Sequence, residues 1–152
     1  MVNRTIYLAG AINCYFNTDE HDYPKQWRKY AKEYVKKLYN DITLVSPIDY
    51  YEIGKNYHKS DTEVMRFDLR MVKEADIVLC NLRDIHTSLG TSDEILYAFI
   101  SGKPVIGFLE NESEMKILHP WKIEQIDRIE TGEDAMKHAI DYIYRYYVDR
   151  YN

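Results

Sequence analysis

Three short, continuously apolar runs constrain this chain more than any other feature: Ile6-Tyr7-Leu8-Ala9, Ile77-Val78-Leu79-Cys80 and Val105-Ile106-Gly107-Phe108. A strand that is apolar at consecutive positions has no face left for water. Such strands belong in a parallel sheet covered on both sides. Between the runs, apolar residues recur at helical steps. From Pro24 to Leu38 they are Trp27, Tyr30, Ala31, Tyr34, Val35 and Leu38, and Pro24 suits the first turn of that helix. Asp61 is a candidate N-cap for a second helix, with Val64, Met65, Leu69 and Val72 on its apolar face.

The remaining elements complete an alternation of strands and helices. Thr43-Leu44-Val45 reads as a short strand closed by Ser46-Pro47, followed by a polar loop through Tyr50, Tyr51, Tyr57 and His58. Asp76 to Leu82 is the third strand and Glu94 to Ser101 the third helix, stopped by Gly102. Pro104 to Phe108 is the fourth strand and Ile126 to Ile129 a fifth. A last helix after Gly132 carries Ala135, Ala139, Ile140 and Ile143. The expected fold is α/β, a flavodoxin-like doubly wound sheet of five mostly parallel strands in the order 2-1-3-4-5. Helices cover both faces. The 152 residues, with no linker or repeat, are expected to form one domain over 1–152. In this strand order a crevice opens between strands 1 and 3 at their carboxyl ends. Gly10 ends strand 1, and Ser88-Leu89-Gly90-Thr91-Ser92-Asp93-Glu94 follows strand 3, so two separate features meet at one edge.

Charge and cysteine content narrow the partners. The net charge of −5 disfavours a general binder of nucleic-acid polymers. No apolar run approaches the length of a membrane span. Met1 to Thr5 leads straight into strand-like sequence without a signal-peptide layout. Cys14 and Cys80 lack metal-site spacing. A cytoplasmic, reducing setting is the expectation, with Cys80 as a core residue. His21, His58, His86 and His138 form no metal constellation. Glu94, read as a first-turn residue, is expected to feel the positive end of the helix dipole and to favour its charged form.

In order along the chain stand Ile6-Tyr7-Leu8-Ala9-Gly10, Trp27-Arg28, Phe67-Asp68-Leu69, Ala75-Asp76-Ile77-Val78, Gly90-Thr91-Ser92-Asp93-Glu94-Ile95, Tyr97-Ala98 and Gly102-Lys103-Pro104-Val105. This ordered set, spanning roughly residues 4 to 108, resembles the nucleoside 2-deoxyribosyltransferase superfamily. The resemblance implies cleavage of an N-glycosidic bond, with the sugar held transiently on Glu94, oriented by the Tyr7 hydroxyl. It implies that Asp68 contacts the base and helps protonate it as it leaves. A carboxylate suits an oxocarbenium-like sugar. Attack by a second base gives transfer, and attack by water gives hydrolysis. No cofactor or metal is implied.

Ser88 departs from the best-known transferases, many of which carry an aspartate two residues before the Gly-Thr turn. A serine there is similar to the branch that hydrolyses nucleoside 5'-monophosphates. An aspartate would repel a phosphate, whereas a hydroxyl and turn N–H groups donate to it. A serine that only caps its turn is the alternative. Gly10, Ala11, Ile12, Ser88, Gly90 and Thr91 are the candidate substrate contacts, with Phe16 and Tyr15 as base-stacking candidates. Arg28 or Lys25 is a candidate source of positive charge, or else a solvated helix residue. Trp121 is expected at a subunit interface, over a bound base, or as an apolar plug under its loop. The implied partners are a nucleoside or nucleoside 5'-monophosphate, a free nucleobase acceptor, and further copies of the chain in a dimer or higher homo-oligomer. Two other readings stand beside this one. The first is a non-catalytic nucleotide-binding or sensing module. The second is a cytokinin-activating-type phosphoribohydrolase, whose glycine run is missing here because Thr87-Ser88-Leu89 precedes the Gly-Thr turn.

Overall fold

The computed structural model describes residues 3–50 and 58–149. Tyr51 and Tyr57 of the tyrosine-rich loop lie outside the described residues. Five strands form one sheet: β1 (Arg4–Gly10), β2 (Ile42–Val45), β3 (Ile77–Asn81), β4 (Val105–Leu109) and β5 (Arg128–Thr131). Their order is β2-β1-β3-β4-β5, and all four pairings are parallel. The helices are α1 (Tyr23–Leu38), α2 (Asp61–Glu74), α3 (Leu89–Ile100), α4 (Pro120–Glu124) and α5 (Ala135–Ile143).

The continuous apolar runs behave as their composition demands. Every residue of β3 and β4 is buried. Alternate side chains feed two cores. On one face Ile6, Leu8, Leu79 and Phe108 pack with α1 and α5 residues such as Trp27, Ala31 and Ile140. On the other, Tyr7, Val78, Cys80 and Val105 pack with α2 and α3 residues such as Val72, Ile95 and Ala98. A parallel sheet needs both layers, because each unpaired apolar face would cost about 25 cal/mol per Å² left in water.

Several local readings need correction. The buried stripe of α1 is Pro24, Trp27, Arg28, Ala31 and Val35, whereas Tyr30 and Leu38 are exposed. On α2, Met71 and Val72 are buried and Met65 is 51% exposed. The cap of α2 is Ser60, not Asp61. Its hydroxyl accepts from Glu63 N while Glu63 reaches back to the Ser60 N–H, a complete capping box. β5 begins at Arg128, two residues later than Ile126 suggests. Asp127 ties that junction to β4, its carboxylate accepting from Val105 N at 2.8 Å.

The largest shift concerns α3, which begins at Leu89 rather than Glu94. Ser88 holds an extended backbone and its hydroxyl accepts from Thr91 N at 3.3 Å. That cap starts the helix five residues earlier than the apolar pattern indicates. Glu94 is therefore inside the helix, beyond its first turn.

Gly10 joins the sheet to the crevice. It pairs with Asn81 across β1 and β3. A Cβ there would lie 2.9 Å from Trp27 Cζ2 and 3.3 Å from Asn81 Cβ. Trp27 cannot retreat freely, since it packs edge-on against Phe108 at 5.5 Å. Gly10→Ala is accordingly expected to cost about 1–3 kcal/mol through overpacking. Urea unfolding measures this, and an unchanged midpoint would contradict the packing described.

Candidate active site

At the carboxyl edge of β1, β2 and β3 lies a cavity of about 880 Å³. This is where a doubly wound sheet leaves its crevice. Glu94 and Asp68 both line it, from α3 and α2 respectively. Gly10, Ile12 and Phe16 contribute the wall after β1. Ser88, Gly90 and Thr91 contribute the wall at the start of α3.

Several residues singled out from sequence do not line the cavity. Ala11 is buried behind it. Tyr7 is fully buried on β1, and its hydroxyl donates to Glu94 Oε2. Tyr7 thus stands behind Glu94 rather than in the open space. Trp121 sits on α4 and is 76% exposed; it is not an apolar plug. Tyr15 is also turned away from the open space. Its ring is buried edge-on against Tyr23, and its hydroxyl donates to Asp84 at 2.8 Å. Of the two aromatic stacking candidates, Phe16 reaches the wall.

The electrostatics of Glu94 follow burial, not the helix dipole. Its carboxyl is pushed up to about 7 by loss of solvation, and the nearby Asp68 charge pushes the same way. The Tyr7 hydrogen bond and the Arg28 charge oppose that shift. The sequence expectation of a carboxylate held in its charged form is therefore reversed. Tyr7 itself is driven well above its ordinary value by burial and by Glu94. It remains a protonated donor whenever Glu94 is ionised.

Ser88 is committed to local structure. Besides capping α3, its hydroxyl donates to Thr91 Oγ1 at 2.8 Å. Gly90 has no internal reason to be glycine, since a Cβ on it would meet nothing within 4 Å. The space it leaves is cavity space. The first N–H groups of a helix lack intrahelical partners, so this wall offers backbone donors to a ligand. Among the described residues, no group of three or more His, Cys, Asp or Glu side chains is arranged to hold a metal ion. No described helix is long and apolar enough to cross a membrane.

Pro47 and Ile48 also line the cavity, from the turn after β2, as do His21 and Lys25 near the start of α1. Sequence reading treated Ser46-Pro47 only as a strand stop. The missing signal was topological: in the order 2-1-3, the loop after β2 borders the same edge as the loop after β1. Arg28, in contrast to Lys25, points inward and is buried.

A family model described as nucleoside 2-deoxyribosyltransferase matches residues 6–141. The chain belongs to that family. The nucleoside 2-deoxyribosyltransferase family is one of glycosyl-transferring enzymes, and the matched span includes every residue placed on the cavity wall.

Solved structures share the fold. A conserved protein from Enterococcus faecalis V583 aligns with a TM-score of 0.71 and 17% identity, over 93% of this chain and 99% of that one. A 2-deoxyribosyltransferase from the psychrotolerant Bacillus psychrosaccharolyticus aligns with a TM-score of 0.64 and 24% identity, over 89% and 90% of the two chains. A de novo designed Rossmann 2x3 protein, 10% identical, aligns at 0.53 over 95% and 90%. That likeness is one of fold alone. No curated protein sequence matches the chain.

Proposed function

We propose that this protein cleaves the N-glycosidic bond of a 2'-deoxynucleoside or its 5'-monophosphate through a covalent glycosyl-Glu94 intermediate. The sugar then passes to another base or to water. The observation that carries this reading is the Tyr7–Glu94 hydrogen bond at the base of the cavity. A phenol that is difficult to deprotonate fixes one carboxylate oxygen and leaves the other for the substrate.

In the first step, an ionised Glu94 oxygen bonds to the anomeric carbon. The carbon–nitrogen bond breaks, its electron pair stays on the base nitrogen, and a proton from the Asp68 carboxyl neutralises the departing base. In the second step, a base nitrogen or a water oxygen attacks the same carbon. The glycosyl–Glu94 ester opens, Glu94 regains its charge, and Asp68 takes the attacking group's proton. Both carboxyl groups line one cavity, as acid–base and nucleophilic roles at a single bond require. Gly90 lets the ligand approach the backbone at the start of α3. Phe16 offers a face for the base.

Hydrolysis of a 5'-monophosphate is the second reading. It is favoured by Lys25 on the cavity wall, a cation suited to a phosphate. Ser88 supports it less directly, because its hydroxyl is engaged by Thr91.

Incubation with deoxynucleosides and deoxynucleoside 5'-monophosphates, with and without a second free base, tests the proposal. New nucleoside formed only with added base is the transferase result. Base released from monophosphates alone is the hydrolase result. Nucleotide binding without base release from any substrate would overturn the catalytic reading in favour of a binding module.

A further inference from the structure

Phe16 gives the cavity wall an aromatic face, yet its ring is 57% exposed. Its place is set by what lies beneath it. The connection from β1 to α1 runs over residues 11–22, whereas a strand-to-helix turn usually takes about two to six residues. A loop of that length is ordered only by contacts that offset its conformational entropy. Phe16, at φ −62° and ψ 138°, and Asn17, at φ 61°, fit the central pair of a type II turn. Asparagine tolerates the left-handed position. The turn closes on Tyr15, whose carbonyl accepts from Thr18 N at 3.3 Å and from the Thr18 hydroxyl at 2.7 Å. Whatever holds Tyr15 therefore aims Phe16.

Tyr15 is held from the loop after β3. Its hydroxyl donates to Asp84 Oδ2 at 2.8 Å. Arg83 completes the junction. Its guanidinium lies 4.3 Å from the centre of the Tyr23 ring and 5.5 Å from that of Tyr15. It pairs with Glu20 of the β1–α1 loop and, at 3.6 Å, with Asp84. An isolated surface ion pair is worth little; this one is seated on two aromatic faces, which adds cation–π attraction. Asp84 in turn reaches the second wall. It holds a left-handed backbone at φ 59°. Its carbonyl accepts from Thr87 N at 3.0 Å and from Thr87 Oγ1 at 2.7 Å, one residue before the Ser88 cap of α3. Tyr15, Arg83 and Asp84 do not line the cavity, whereas Phe16, Thr87 and Ser88 do. The cluster thus stands one layer behind two walls.

We propose that Tyr15, Arg83 and Asp84 form a latch of positioning residues. It fixes Phe16 against the base and so sets substrate affinity. The inference rests on a base lying on Phe16, as in the reaction proposed above.

Tyr15→Phe removes one hydroxyl and keeps the buried ring. Without ligand, amide hydrogen exchange over residues 11–22 is expected to quicken roughly tenfold or more, the scale of one hydrogen bond to a charged acceptor, with exchange in β3 and β4 unchanged. With deoxynucleoside or its 5'-monophosphate, KM is expected to rise roughly tenfold while kcat stays within about twofold, because binding is weakened and the reacting carboxylate is untouched. Phe16→Ala is expected to raise KM to a similar extent. The double variant is expected to be no worse than the worse single one, since Tyr15 acts through Phe16. A folded Tyr15→Phe protein with unchanged loop exchange overturns the proposal. So does a double variant in which the two KM increases multiply in full. Arg83→Gln, at a partly exposed side chain, is expected to have the same effects on exchange and KM. It decides the matter in the same way if Tyr15→Phe does not fold. The exchange readout needs no substrate. If no nucleoside or nucleotide yields free base, the proposed reaction fails, and exchange still decides whether the latch holds the loop.

Discussion

Glu94→Gln is expected to lower kcat by about 10⁴-fold or more, the scale seen when a covalent nucleophile is removed. An amide oxygen can still accept from Tyr7 and occupies nearly the same volume, so packing around α3 is retained. What is lost is the electron pair that bonds to the anomeric carbon. A stopped assay of base release across pH 5 to 9 measures the loss. A fall of less than about a hundredfold would sink the nucleophile assignment, because even acid–base help from a neighbouring carboxyl is worth about 10²–10⁴-fold. Mass spectrometry of the unsubstituted protein mixed rapidly with substrate adds a direct observation. The peptide containing Glu94 is expected to gain the mass of the sugar less water, and the glutamine variant is not. Residual activity with an adduct on another residue would move the chemistry elsewhere in the cavity.

The parts of this molecule legible in its sequence are those decided by long-range burial. Consecutive apolar residues in β1, β3 and β4 required a two-sided parallel sheet, and no local propensity competes with that demand. Five alternating strands suited the order 2-1-3-4-5, and the crevice followed from that order. The start of α3 was obscured for a local reason. Leu89-Gly90-Thr91-Ser92-Asp93 has weak helical propensity, and its pattern gives no apolar face. A Ser88 cap and packing against the sheet override that weakness. The five-residue shift then reverses the electrostatic argument for Glu94. A first-turn position would have favoured the charged form, whereas a partly buried interior position beside Asp68 favours the neutral one. Arg28 was available in the pattern. Positions 24, 27, 28, 31 and 35 share one helical stripe, so its charge lay on the buried face from the start. The fully extended reach of an arginine usually excuses such a position by snorkelling. Here the side chain stays inside because carbonyls at Pro24 and Gly10 receive it.

The same Glu94 that is expected to carry turnover is expected to cost the protein stability at neutral and alkaline pH. Its carboxyl lies at about 7 in the fold against an ordinary value of 4.5. Below pH 4.5 the group is protonated in both folded and unfolded chains and contributes no penalty. As pH rises towards 7, the unfolded chain releases the proton first, so stability falls across that interval. Above about 7 the full penalty is present, on the order of 3 kcal/mol from the size of the shift. Glutamine at this position cannot titrate. Glu94→Gln is therefore expected to match the unsubstituted protein near pH 4.5 and to exceed its unfolding free energy by about 2–3 kcal/mol at pH 8. Urea unfolding of both proteins at several pH values measures the difference. A gap that stays constant with pH would show that Glu94 is not held in a desolvated site. A gap that opens between pH 4.5 and 7, together with loss of turnover, would tie the two properties to one cause: a charge kept from water where the sugar must be met.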